Sequence, residues 1–129
     1  MCGVCGVVDL NNSPPLRSEE LDAMCRTIEH RGPDGTRTMI RGSVAFGHTR
    51  LSVIDTETGW QPISNEDDSV FVILNGEIYN FQELRTELVE KGHKFRTNSD
   101  TEVVVHLYEE DGLDFVERLD GMFALAVWD

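Results

Sequence analysis

Cys2 stands directly behind the initiator methionine, at the head of the apolar, β-branched run Gly3-Val4-Cys5-Gly6-Val7-Val8. Loss of Met1 would leave a thiol and a free α-amine on one residue, a self-contained nucleophile and base. An α-amine titrates at roughly 7.7–8.0, low enough to take up a proton near neutrality. Five further residues have no evident packing role: Arg50, Asn75, Gly76, Glu77 and Asp100. Each lies beside the end of an apolar segment or at a helix start. Singly, such residues read as solvated surface groups; together they read as one reaction. The thiol attacks a carbonyl carbon. The Asn75 side-chain amide and the Gly76 backbone N–H can meet the developing oxyanion, where one such donor is worth about 2.7–4 kcal/mol in the transition state. Arg50 offers a bidentate site for a carboxylate, and Asp100 an anion for an ammonium. A substrate with an α-carboxylate, an α-ammonium and a side-chain carbonyl is an amino-acid amide, and glutamine fits.

The elements that must position these groups follow from patterning. Residues 3–9 predict a buried strand, closed by Asp9 and the turn-rich Asn11-Asn12-Ser13-Pro14-Pro15. Ser18 is expected to cap a helix through about His30, with Leu21, Met24, Cys25 and Ile28 on one face. His30-Arg31-Gly32-Pro33-Asp34-Gly35 is a turn by composition. Strands are expected near 36–40 and 43–49, extended chain over 50–55, and a loop over 56–65 with Trp60 as its one large apolar group. Val70-Phe71-Val72-Ile73-Leu74 predicts a strand covered on both faces. It stops at Asn75-Gly76, which read locally as a hairpin tip. Asn80 with Glu83, and Ser99 with Glu102, predict capping boxes for two helices ended by Gly92 and Gly112. Val103-Val104-Val105 leaves a strand open as an alternative to the second helix. Asp100 falls in that helix's first turn, where the dipole favours an ionised carboxylate. Residues 122–128 predict another two-sided strand, which should have a pairing neighbour on each side. The sum is α/β, with either two packed sheets or one sheet between helices.

Composition sets limits. A chain of 129 residues suggests one domain. No window approaches the ~18 uninterrupted apolar residues of a membrane span, and neither a basic leader nor an apolar signal core is present. The expectation is a soluble cytoplasmic protein with no membrane partner. Net charge is -13, from 24 acidic against 11 basic residues, which argues against nucleic acid as a partner. A well-solvated surface accounts for this acidity; adaptation to high salt is the sharper alternative. Three cysteines, an odd number, argue against a disulfide framework. Cys2 and Cys5 form a C-x-x-C, so a redox or zinc protein is a competing reading. No second C-x-x-C or H-x-x-x-H completes it, and strand alternation turns the two thiols to opposite faces. The expected metal set is none.

Seven stretches carry a family resemblance in order: MCGVCGVV at 1–8, RGPDG at 31–35, FGHTRLSVID at 46–55, QPISNE at 61–66, NGEIYNFQELR at 75–85, SDTEVV at 99–104 and LDGMFALAVWD at 119–129. Together they resemble the N-terminal glutaminase domain of class II glutamine amidotransferases, a branch of the N-terminal nucleophile hydrolases. RGPDG, RLSVID and NGEIYN point within it to the group of the glutamine-hydrolysing asparagine synthetases, which includes amidotransferases of other pathways. The resemblance implies a four-layer α/β/β/α sandwich. It implies Cys2 as nucleophile and Asn75 with Gly76 as the oxyanion hole. It gives Arg50 the glutamine α-carboxylate, Asp100 and Glu77 the α-amino end, and the backbone around Leu51 and Val53 the rest of the pocket. It implies a γ-glutamyl thioester, release of ammonia and hydrolysis to glutamate, without a cofactor. ATP and magnesium are expected only in a C-terminal synthetase domain that activates aspartate. Residues 1–129 are expected to be a partial amidotransferase domain, with its C-terminal part and the synthetase domain outside them. Expected partners are glutamine and that synthetase domain, with a homodimer left open. A truncated, inactive remnant is the competing non-enzymatic reading.

Overall fold

The computed structural model describes residues 1–11 and 16–129. The turn expected over residues 11–15 lies largely outside the described residues. Two compact units divide the chain: Met1–Ser52 with Trp60–Pro62, and Val53–Gly59 with Ile63–Asp129.

The first unit is a three-stranded antiparallel sheet with one helix. Strand β1 (Gly3–Val8) and strand β2 (Gly35–Arg41) flank β3 (Val44–Arg50), in the order β1-β3-β2. Helix α1 (Ser18–Thr27) buries Leu21 and Cys25, the expected apolar face. Its cap differs from expectation. Arg17 is the boundary residue, and its N–H donates to the Glu20 carboxylate at 2.8 Å. A carboxylate three residues on reaches back to an orphan donor more readily than a serine hydroxyl reaches forward. A single 3₁₀ turn, Glu29–Arg31, follows. Residues 51–55 belong to no strand, and the chain bends at Val53 and Ile54.

The second unit is also a three-stranded antiparallel sheet. Its order is β4-β5-β6, with β4 at Ile63–Ser64, β5 at Phe71–Ile78 and β6 at Gly121–Trp128. Helices α2 (Phe81–Glu90) and α3 (Thr101–Asp111) and a 3₁₀ segment (Gly112–Arg118) come between β5 and β6. Val72, Leu74 and Ile78 of β5 join Leu84, Leu88, Val103, Val104, Val105 and Leu107 in one apolar core. Val103-Val104-Val105 is therefore helix: burial against the sheet outweighs the modest helix cost of β-branched residues. Strand β4 is too short to have been legible in the loop around it.

Two expectations fail here for identifiable reasons. Asn75-Gly76 is no hairpin tip, because β5 runs straight through it and pairs with β6 as far as Ile78. Asn80 precedes α2 but makes no capping box. Its Nδ2 donates to the Arg118 carbonyl at 2.9 Å and its Oδ1 accepts from the Asp120 N–H at 3.0 Å. Strand β6 pairs with β5 alone among the described residues, and Met122 and Phe123 are exposed.

Asn80 thus fixes the entry of the chain into β6 rather than the start of α2. Asn80→Ala removes both bonds and leaves two main-chain groups to find other partners, a loss of about 1–3 kcal/mol. The expected result is a lower urea midpoint with an unchanged m-value; an unchanged midpoint would show that the clamp is dispensable.

Candidate active site

In the first unit the antiparallel register places Gly3 opposite Thr49, so the next residue outward, Cys2, reaches the chain just past β3. Its Sγ lies 3.4 Å from the Leu51 N and 3.6 Å from the Leu51 carbonyl oxygen. The Leu51 N–H donates to the sulfur, and the thiol in turn faces the Leu51 carbonyl as a donor. Arg31 Nε donates to the Cys2 carbonyl at 3.1 Å. The RGPDG turn braces the other side as well: the Asp34 N–H donates to the Arg50 carbonyl at 2.9 Å, and the Ser52 N–H to Asp34 Oδ2 at 2.7 Å. Gly32 lies so close to the backbone of Thr49 and Arg50 that any Cβ would collide with it. Arg50 ends β3 and is 3% exposed, with its guanidinium 4.8 Å from the centre of the Trp60 ring. Arg37 lies against the same indole at 4.9 Å. A planar cation held on an aromatic face keeps its orientation.

Cys5 meets Cys25, not Cys2, with the sulfurs 3.7 Å apart. Burial first, then the Cys5 thiol beside it, pushes Cys25 up to about 12. Such a thiol stays protonated at neutral pH and is inert. The three cysteines are free thiols, and only Cys2 stands at the head of the chain.

In the second unit Asn75 lies on the face of β5 opposite to Val72, Leu74 and Ile78, and shares that face with Glu77. Its Oδ1 is shielded and accepts no hydrogen bond from the described residues. Gly76 has φ +154, and a Cβ there would run into the backbone of Met122 and Phe123 on β6. Asp100 is buried just before α3. Its Oδ2 accepts the Ile78 N–H at 2.9 Å, and the Ser99 hydroxyl donates to Oδ1 at 3.4 Å. Burial pushes the Asp100 carboxyl up, and the charge of Glu77 adds to this; the N–H groups of Ile78 and Thr101 and the Ser99 hydroxyl pull the other way. Desolvation therefore outweighs these hydrogen bonds, and the shift runs opposite in direction to the one a helix dipole would give. Two acidic groups this close form a site that gains from a cation. Val53 has an exposed side chain, so any part it plays falls to its backbone.

The first unit thus brings together Cys2, Arg50 and Leu51, and the second Asn75, Gly76, Glu77 and Asp100. Sequence reasoning missed three positioning residues. Arg31 and Asp34 hold the two backbones around Cys2. Asp55 accepts from the Thr58 N–H at 2.9 Å and from the Asn98 N–H at 2.7 Å, and so anchors the loop leading to Asp100. The turn motif carried the signal for the first two, but nothing short-range marked Asp55.

The family model described as "Glutamine amidotransferase domain" matches residues 1–129, and the chain belongs to this family. Its two antiparallel sheets and their helices fit the N-terminal nucleophile hydrolase fold. Among curated proteins it is similar to "Asparagine synthetase [glutamine-hydrolyzing] 2" of Bacillus subtilis (strain 168). The identity is 46%, over all of this chain and 17% of that protein. It is 45% identical to "Asparagine synthetase [glutamine-hydrolyzing] 1" of Arabidopsis thaliana, over all of this chain and 22% of that one. The chain therefore spans about a fifth of the length of these relatives. Among solved structures it resembles the glutamine phosphoribosylpyrophosphate amidotransferase from B. subtilis, with TM-score 0.54 and 27% identity over 69% of this chain and 22% of that one. A second likeness, to an allosteric regulatory enzyme of purine biosynthesis, has TM-score 0.56 and 26% identity over the same shares.

The Asp100 shift carries a pH signature. A carboxyl with a raised folded-state pKa contributes its stability fully below the unfolded value, roughly 3.9 for Asp, and loses it as pH rises through the folded value. Asp100→Asn removes this dependence. Its stability relative to the parent should improve as pH rises from below the ordinary Asp value through the raised one, and then level off. Urea titrations across that window check it, and a difference that is flat with pH contradicts it.

Proposed function

We propose that this domain hydrolyses glutamine to glutamate and ammonia through a thioester on Cys2. The observation that carries the reading is the clamp on Cys2. Its sulfur is held at the Leu51 N–H and its carbonyl by Arg31, so the head of the chain is fixed while its α-amine stays outside the sheet ladder. Once Met1 is removed, that amine takes the thiol proton as Sγ bonds to the γ-carbonyl carbon. The tetrahedral oxyanion is met by the Asn75 amide and the Gly76 N–H. The proton then passes to the departing nitrogen, the C–N bond breaks and ammonia leaves. Water, deprotonated by the same amine, attacks the thioester. Glutamate leaves and the thiol reforms.

Arg50, oriented by Trp60, takes the α-carboxylate as a bidentate pair. Glu77 and Asp100 take the α-ammonium, whose charge relieves the crowding of two carboxyl groups. The backbone at Leu51 and Val53 completes the substrate's surroundings. The step uses no metal and no cofactor, since nucleophile and base are one residue.

In the whole protein, we propose, the ammonia serves ATP- and magnesium-dependent amidation of aspartate in a C-terminal synthetase domain. The relatives at 45–46% identity support aspartate over the acceptor of the phosphoribosylpyrophosphate enzyme at 27%. The acidic surface supports a protein that leaves nucleic acid alone, and no helix among the described residues is long and apolar enough to cross a membrane. Both suit a cytoplasmic enzyme, for which a homodimer is one assembly.

In the full-length protein Cys2→Ala should abolish ammonia release from glutamine while leaving the use of free ammonia intact. A form that keeps Met1, identified by intact mass, should be equally inactive. Asn75→Ala should lower kcat about 10²–10³-fold with little change in KM. Full glutaminase activity in Cys2→Ala would sink the mechanism. Loss in Cys2→Ala with normal turnover in Asn75→Ala would remove only the oxyanion assignment.

A further inference from the structure

We propose that the second unit carries a structural site for one zinc ion, formed by Glu66, His93, His106 and Glu109. Glu66 lies in the turn between β4 and β5, and His93 in the connection between α2 and α3. His106 and Glu109 sit at i, i+3 on one face of α3. One donor atom from each of the four falls within 4.8 Å of all the others.

The spacing is that of a coordination shell. Ligands about 2.0–2.1 Å from a tetrahedral zinc ion stand about 3.3–3.4 Å from one another. Here His93 Nδ1 is 3.6 Å from Glu66 Oε1 and 3.6 Å from Glu109 Oε2. His106 Nδ1 is 3.6 Å from Glu66 Oε2 and 3.0 Å from Glu109 Oε2. Both imidazoles thus turn the same nitrogen toward the two carboxylates.

The surroundings are built to match. The outward nitrogen of His93, Nε2, lies 3.1 Å from Glu110 Oε1, the carboxylate–histidine pairing that orients a metal-binding imidazole. The outward nitrogen of His106 faces Glu102 Oε1 at 3.9 Å. Glu102 is buried and fixed by the N–H groups of Arg96 and Thr97, both at 2.7 Å, and the Thr97 hydroxyl at 2.6 Å. Asn65 Nδ2 donates to Glu109 Oε1 at 2.8 Å, leaving Oε2 for the centre. The Lys94 N–H donates to Glu66 Oε1 at 2.8 Å. His106 is 1% exposed, and the Phe95 ring lies edge-on to it at 4.7 Å, so one wall is dry.

Two imidazoles and two carboxylates, four ligands with no place kept open, are a closed set for zinc, so the role is structural. The ion would tie two loops to α3, and none of the residues proposed for glutamine chemistry takes part. Protonated imidazoles could balance the same carboxylates, and the experiment separates the two states.

The full-length protein, stripped with chelator and dialysed against zinc with its thiols reduced, should hold one more zinc per chain than His93→Gln does, and zinc should raise the Tm of the parent alone. Cobalt in the same site should show the strong visible absorption of a four-coordinate centre. Glu110→Gln, which spares the four ligands and the core, should weaken zinc binding about 10–100-fold. Equal zinc uptake by His93→Gln and the parent, no zinc uptake by the parent, or unchanged affinity in Glu110→Gln overturns the site.

Discussion

Val72, Leu74 and Ile78 on one face of β5 pack beneath α2 and α3 in a core of aliphatic side chains, and the pleat then turns Asn75 and Glu77 to the other face. Much else follows from this alternation. A one-residue slip of β5 would carry the Asn75 amide into the apolar core and push leucine out of it, at a cost of several kcal/mol for burying an unpaired polar group. The position of the Asn75 amide is therefore set by hydrophobic burial. The same strand presents the Ile78 N–H to Asp100, so the core also locates the acid at the head of α3.

Electrostatic tension concentrates where substrate charge is expected. Asp100 is desolvated beside Glu77, and its remaining hydrogen bonds only partly offset this. Arg50 is buried against Trp60. Groups kept short of water in this way bind an opposite charge strongly, because little hydration has to be stripped on binding. The cluster around His93 and His106 shows the same economy, with fixed carboxylates on both the inward and outward sides of each ring.

The parts of the fold legible in the sequence were those written in local periodicity. Leu21 and Cys25 at helical spacing marked the buried face of α1, and the unbroken run 70–74 marked the central strand. Where a residue had two physically sound partners, local reading chose wrongly. Asn80 was positioned to cap α2, yet its amide bridges to residues 118 and 120, which no window around position 80 reveals. Asn75-Gly76 had the composition of a hairpin, but the pairing with β6, some fifty residues away, draws it into an extended ladder. The site divides likewise. Cys2 declares itself because a thiol behind Met1 is chemically unusual. Arg31, Asp34 and Asp55 act by holding backbone, and a backbone contact leaves little trace in residue type. The histidine and carboxylate cluster was invisible for a related reason, since its members come from three separate segments.

Gly76 bears on how relatives of this chain should be compared. Its place on β5 is closed to any side chain by the backbone of the neighbouring strand, whatever chemistry its N–H performs. An enzyme and a relative that had lost all activity would both be obliged to keep glycine there. Invariance at this position would thus record the spacing of two strands, and would say nothing of whether a lineage had kept its chemistry.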